Sequence, residues 1–139
     1  MNWKSQFESI GVHIPEKRLS TKEIVGKLQL PAIKKFELLT GIKERRVCSH
    51  GEDSYTLAVN AARDCLKHSK YSPENIDMIL CCSISKHIGG TSYQYEPPLS
   101  IYIKDAIGAA QAVNFDITNA CAGMLTGVYI ADDFIQRGA

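Results

Sequence analysis

The chain has 139 residues, the size of one domain able to bury a core, so a single unit spanning residues 1–139 is expected. Its 45% hydrophobic and 22% charged residues exclude a disordered tail, a collagen-like rod and a coiled coil. Sixteen Lys and Arg against fifteen Asp and Glu leave a formal charge of +1, so no global field draws the chain to nucleic acid or an anionic membrane.

Strands and helices alternate along the chain. Phe7–Ile14 reads as a first strand closed by Pro15. Ser20, with Glu23 three residues on, reads as a capping box opening a short helix through Leu28. Pro31–Leu39 predicts a second helix, begun at a proline and stopped before Gly41, and Lys43–Cys48 a charged strand. Asp53 or Ser54 opens an amphipathic helix with Leu57, Ala58, Ala61, Cys65 and Leu66 at helical spacing. Ile76–Ile84 is a nearly continuous apolar run, as in a strand buried on both faces. A Gly- and Tyr-containing loop follows from Ser85 to Glu96. Pro97 and Pro98 then start a helix that ends at Gly108, Ala112–Thr118 forms a further strand, and a last helix runs from about Ala122 to Arg137 with Gly138 as its cap. This order predicts an α/β fold with mainly parallel pairing.

Ile117–Ala131, the longest stretch without a charge, is interrupted by polar and glycine residues and is shorter than the roughly 20 apolar residues of a spanning helix, so no membrane span is expected. Met1–Ser9 lacks the pattern of a secretory signal, and five cysteines cannot all pair within one chain, which points to a reducing cytoplasm. None of Cys48, Cys65, Cys81, Cys82 and Cys121 falls in a C-x-x-C pair. Cys81 and Cys82, adjacent on a strand, point to opposite faces, so no metal site is expected.

The sharpest local feature is Asp116-Ile117-Thr118-Asn119-Ala120-Cys121-Ala122-Gly123, in which a buried strand turns directly into a helix with a cysteine at the turn. A thiol there meets the positive end of the helix macrodipole and unpaired N–H groups, which favour thiolate and can stabilise an oxyanion. Ala120, Ala122 and Gly123 leave room for a thioester carbonyl, and Gly127 and Ala131 let the helix pack deep in a core. Cys65, Cys81 and Cys82 read instead as inert core thiols. A redox role would need a resolving cysteine, which no motif supplies.

Several motifs, in order along essentially the whole chain, resemble the ketoacyl synthase III family of the thiolase superfamily. They are Gly11-Val12-His13-Ile14-Pro15-Glu16, Thr40-Gly41-Ile42-Lys43-Glu44-Arg45-Arg46, Asp116 to Gly123, and Gln136-Arg137-Gly138-Ala139. The resemblance implies the N-terminal half of a thiolase-like fold, with a mixed, mostly parallel sheet and a buried helix carrying the nucleophile. It implies a β-ketoacyl-acyl carrier protein synthase III-type acyltransferase in which Cys121 takes an acyl group from acyl-coenzyme A. A carbanion from decarboxylated malonyl-acyl carrier protein would then attack the acyl-cysteine to give a 3-oxoacyl product. Acyl-coenzyme A is thus expected as substrate, with no bound cofactor, and acyl carrier protein as partner. A homodimer or a complementing C-terminal half is also expected, because the histidine and asparagine that family members use for decarboxylation lie in their second half. The chain alone is therefore expected to be a fragment or part of a split protein, short of full activity. Alternatives are a hydroxymethylglutaryl-coenzyme A synthase-like or long-chain acyl condensing enzyme, and a non-catalytic interaction subunit of a condensing enzyme.

His13, His50, His68 and His87 are not expected to act as the catalytic base, His68 reading as a helix-end surface residue. Where some family members place a tryptophan and an arginine against coenzyme A, this sequence has Lys35 and Leu39, so the coenzyme-binding residues stay unassigned. Phe36 reads as a core contact or a stacking surface, and Lys34, Lys35, Lys43, Arg45 and Arg46 as a solvated face or a contact for phosphates or an acidic carrier protein. Tyr93 and Tyr95, in the long loop, read as lining an acyl tunnel or reaching across a dimer.

Overall fold

The computed structural model describes residues 4–28 and 35–138, and these form two compact units. One comprises Ile14–Glu52; the other comprises the segment up to His13 together with the chain from Asp53 onward.

In the smaller unit, β1 (Arg18–Ser20) pairs antiparallel with β2 (Glu44–Arg46) around two short helices, α1 (Thr21–Lys27) and α2 (Phe36–Thr40). Ser20 and Glu23 form the expected capping box at α1. Gly41 ends α2 in the left-handed region at φ 69°, a conformation that costs glycine no Cβ clash. Pro31 and Lys34 lie outside the described residues, so the helix predicted from Pro31 is seen only as α2. The Arg46 guanidinium donates to the carbonyls of Pro15 (2.9 Å) and Glu16 (3.1 Å), tying together two segments that the sequence singled out. The hydroxyl of buried Thr21 donates to the Ile42 carbonyl.

In the larger unit, α3 (Ser54–His68) is opened by Asp53, whose carboxylate accepts from Thr56 N–H (2.8 Å) while Asp53 N–H donates to Thr56 Oγ1 (2.8 Å). β3 (Met78–Cys81) pairs in parallel with β6 (Val113–Asp116), Met78 opposite Val113 and Cys81 opposite Asp116. α4 (Leu99–Ile107) packs between that pair and α3. Val59, Cys81, Leu99 and Ile103 form the buried core, flanked by Tyr55, Ala58, Ala62, Ile88 and Ala106. α5 (Gly123–Arg137) follows β6 through a 3₁₀ turn, Ala120–Ala122. The segment Ser85–Glu96 contains a small hairpin, β4 (His87–Ile88) with β5 (Ser92–Tyr93).

One sequence expectation is corrected, and three others gain detail. Phe7–Ile14 forms no strand: a strand needs a ladder partner, and among the described residues none pairs with it, so Phe7, Ile10, Val12 and Ile14 remain exposed and Val12 N–H donates instead to Asp64 Oδ2 at 3.0 Å. The apolar stripe of α3 divides between two partners. Tyr55, Ala58, Val59 and Ala62 face the core, whereas Ala61 and Cys65 lie against the backbone of Gly11, where an added Cβ would sit 2.1 Å from Cys65 N and 2.2 Å from Ala61 O. Parallel pairing is confined to β3–β6, the other two pairs being antiparallel. Finally, α5 is buried on one side only: Gly123 and Gly127 are covered, while Met124, Leu125 and Tyr129 point outward. Among the described residues only the segment around Ser5 and Phe7 approaches that outer side, where the Ser5 hydroxyl donates to Asp132 Oδ1.

Candidate functional site

The parallel pair places the site. Ile117 N–H donates to Cys81 O (2.9 Å), carrying the β3–β6 ladder one step past the strand, and the chain then turns sharply. Ala120 takes a positive φ of 40°, unusual for a residue with a Cβ, and Cys121 follows within the 3₁₀ turn. Cys121 is exposed and stands immediately before α5. No side chain caps α5 directly at Ala122. Asn119 Nδ2 instead donates to Thr126 Oγ1 (2.9 Å), and the Thr126 hydroxyl donates to Ala122 O (3.0 Å).

Two glycines seat the helix. A Cβ on Gly123 would lie 3.1 Å from Cys82 O, and one on Gly127 would lie 2.4 Å from Cys82 Sγ, so the first two turns of α5 rest on the residue that follows β3. Burial pushes the Cys82 thiol up, against the Gly127 N–H that favours its thiolate, and the charge of Asp116 adds to the rise. Burial likewise pushes up Cys81, inside the core. Cys65 shares a 3.0 Å contact with Ser9 Oγ, and Cys48, like Cys121, is exposed.

Beside the turn lies an ion pair that sequence reasoning missed. Lys86 Nζ is 3.0 Å from Asp116 Oδ2, with side chains only 12% and 8% exposed. The same carboxylate accepts from Leu99 N–H (3.0 Å) and Ser100 N–H (2.9 Å), and so caps α4 from the end of β6. Burial alone would raise the Asp116 carboxyl, but the Ser100 and Leu99 donors and Lys86 outweigh it and hold it below the ordinary carboxylate range. Burial pulls the Lys86 ammonium down, and Asp116 reverses that and holds it above its ordinary value. Asp53 grips the tip of the same hairpin by accepting from Gly90 N–H at 3.1 Å.

The histidines lie at separate places. His13 Nε2 is 3.4 Å from Asn60 Nδ2, and His68, the last residue of α3, donates Nδ1–H to Asp64 O at 2.8 Å. His50 is exposed in a turn of the smaller unit. His87 packs edge-on against Tyr93, whose ring also meets Tyr95. Of the basic residues of the smaller unit, Arg45 lies over the Phe36 ring (5.2 Å) and donates to Thr21 Oγ1, so it covers a face of the ring that could have stacked on a ligand. Lys35 and Lys43 line a cavity of about 620 Å³ with Glu37, Leu38 and Gly41. In the larger unit an apolar groove of about 600 Å³ runs between Phe7 and the outer side of α5 at Leu125, Tyr129 and Ile135. Cys121 lines neither of them.

No protein-family model matches the chain. It is 31% identical over 133 residues to the beta-ketoacyl-acyl-carrier-protein synthase III of Clostridium novyi (strain NT), a match covering 96% of this chain and 39% of that protein. Synthase III 1 of Bacillus cereus is 33% identical over 129 residues, 93% of this chain and 39% of the relative. Over its length the chain is similar to the beta-ketoacyl-acyl-carrier-protein synthase III proteins. It spans about two fifths of the length of these curated relatives and corresponds to their N-terminal part. The fold is thiolase-like: the crystal structure of the priming beta-ketosynthase from the R1128 polyketide biosynthetic pathway superposes with a TM-score of 0.80 at 29% identity, over 94% of this chain and 37% of that one. Among the described residues no helix is long and apolar enough to cross a membrane.

Proposed function

We propose that this chain carries the acyl-accepting half of a condensing enzyme of the synthase III type, with Cys121 as the acyl acceptor. The observation that supports this best is an exposed thiol held on a tight turn between a parallel strand pair and the start of a 15-residue helix. In the transfer step Cys121 Sγ attacks the carbonyl carbon of an acyl-coenzyme A. A new C–S bond forms, the bond to the coenzyme sulfur breaks, and coenzyme A leaves as its thiol with the proton that Cys121 gives up. The backbone N–H of Cys121 contributes to stabilising the transient oxyanion. In the complete enzyme malonyl-acyl carrier protein then loses carbon dioxide, its carbanion attacks the acyl-cysteine, and Cys121 departs as thiolate with release of a 3-oxoacyl-acyl carrier protein. The second step needs groups that stabilise the developing enolate, and these fall to a further segment or a complementing chain. The exposed apolar side of α5, at Leu125 and Tyr129, favours such a neighbour, whether a C-terminal half or a second copy.

Intact-mass spectrometry after exposure to short acyl-coenzyme A thioesters at neutral pH tests the transfer step. A single acyl adduct on the wild type that is absent from Cys121→Ala is expected. A folded sample without an adduct, or an adduct that survives in Cys121→Ala, overturns the assignment; exposed Cys48 makes the second control necessary.

A further inference from the structure

We infer that Asn119 and Thr126 are positioning residues for Cys121, forming a side-chain clasp across the turn that holds it; the inference rests on the reading of Cys121 as the acyl acceptor. Three hydrogen bonds close a ring around Ala120 and Cys121. Ala122 N–H donates to Asn119 O (2.9 Å), Asn119 Nδ2 donates to Thr126 Oγ1 (2.9 Å), and the Thr126 hydroxyl donates to Ala122 O (3.0 Å). The threonine hydroxyl has one proton, and the Ala122 carbonyl can only accept, so Thr126 must receive the asparagine N–H. The side-chain amide of Asn119 is thereby oriented as well.

The clasp answers a local strain: Ala120 is held at φ 40°, a conformation that an alanine adopts only when its surroundings impose it. Asn119 is exposed and Thr126 half-buried, and neither belongs to the core around Leu99 and Ile103. Their bonds therefore act on the turn and not on the packing of the unit. The glycine seat on Cys82 sets where α5 lies, and the clasp sets the backbone between Asn119 and Ala122, which carries the thiol. Without it, Ala120 relaxes toward negative φ and the thiol no longer sits at a fixed place before the helix.

Competitive alkylation with iodoacetamide at neutral pH, read by peptide mass as the ratio of Cys121 to Cys48 modification, tests this in the whole chain. Cys48 is an exposed reference in the other unit, so a global loss of stability does not selectively lower the ratio. Thr126→Val, which keeps the shape and removes both hydroxyl bonds, is expected to lower the ratio about fivefold, the factor that one net hydrogen bond supports. Asn119→Ala should do the same, the double variant should fall no further than either single one, and Thr126→Ser should restore the wild-type ratio. A ratio unchanged or raised in Thr126→Val, or a fall that Thr126→Ser shares, overturns the clasp. Acyl transfer is scored separately. A wild type that takes no acyl group but shows this alkylation pattern refutes the acyl-acceptor reading alone, and one that is acylated with unchanged ratios refutes the clasp alone.

Discussion

Replacing Asp116 by asparagine removes one charge from a pair almost out of solvent while preserving the side chain's volume. Lys86, whose side chain is 12% exposed, then keeps its ammonium with no counter-charge, and α4 loses an ionised acceptor for Leu99 and Ser100 N–H. Breaking a buried pair from one side costs about 3–5 kcal/mol, and the residual exposure here places the expected loss near the lower limit, about 3 kcal/mol. Lys86→Met leaves Asp116 its two backbone donors and strands no cation, so its cost should be about 1 kcal/mol. The double variant should be no less stable than Asp116→Asn, recovering about 2 kcal/mol against the sum of the single effects. Urea unfolding at neutral pH followed by circular dichroism measures all three. The pH dependence has a definite sign. Asp116 ionises below its ordinary 3.8, so its contribution is present above that value and is lost as pH falls through the lower folded value. Lys86 is held above its ordinary 10.5, so its contribution is complete below that pH and is lost as pH rises through the folded value. The wild type should therefore exceed Asp116→Asn in stability across the window between these limits and converge with it in strong acid. An Asp116→Asn chain within about 0.5 kcal/mol of wild type at neutral pH, or a gap that persists in strong acid, would refute the reasoning.

Three further outcomes are expected. Gly127→Ala should destabilise by about 1–3 kcal/mol because its Cβ would fall on Cys82 Sγ, and adding Cys82→Ala should recover most of that loss in thermal unfolding. Gly11→Ala meets backbone atoms of Ala61 and Cys65 that no rotamer change can clear, so it should cost about 3 kcal/mol or more, measured by the same melt. Asp53→Ala removes the cap of α3 and the tether to Gly90. A loss of about 1–2 kcal/mol is expected, with faster amide exchange at Gly90 than at sites in α4.

What was legible in the sequence was local. The Ser20–Glu23 box, Asp53 before α3, and the left-handed glycines at 41, 108 and 138 act within a few residues of themselves, so their types alone announced where helices start and stop. The turn at Cys121 was legible for the same reason, as an apolar strand meeting a run of small residues. Relations that close only in space were not. Asp116 stands within a motif singled out at once, yet its partners Lys86, Leu99 and Ser100 come from another part of the chain. Phe7–Ile14 has the composition of a strand, but composition cannot provide the neighbour that a ladder requires. Asn119 and Thr126, seven residues apart, face each other only because the chain bends between them at Ala120.

The parallel pairing of β3 with β6 also sets the order in which this unit can assemble. α3 and α4 draw on contacts within single turns and can form early, whereas Met78 must find Val113 across the whole of α4 and its flanking loops. The turn after β6 has no support until that closure occurs. Cys121 therefore gains its surroundings only after that long-range contact is made, and the time at which its alkylation rate becomes native during refolding is a clock for the closing of the β3–β6 pair.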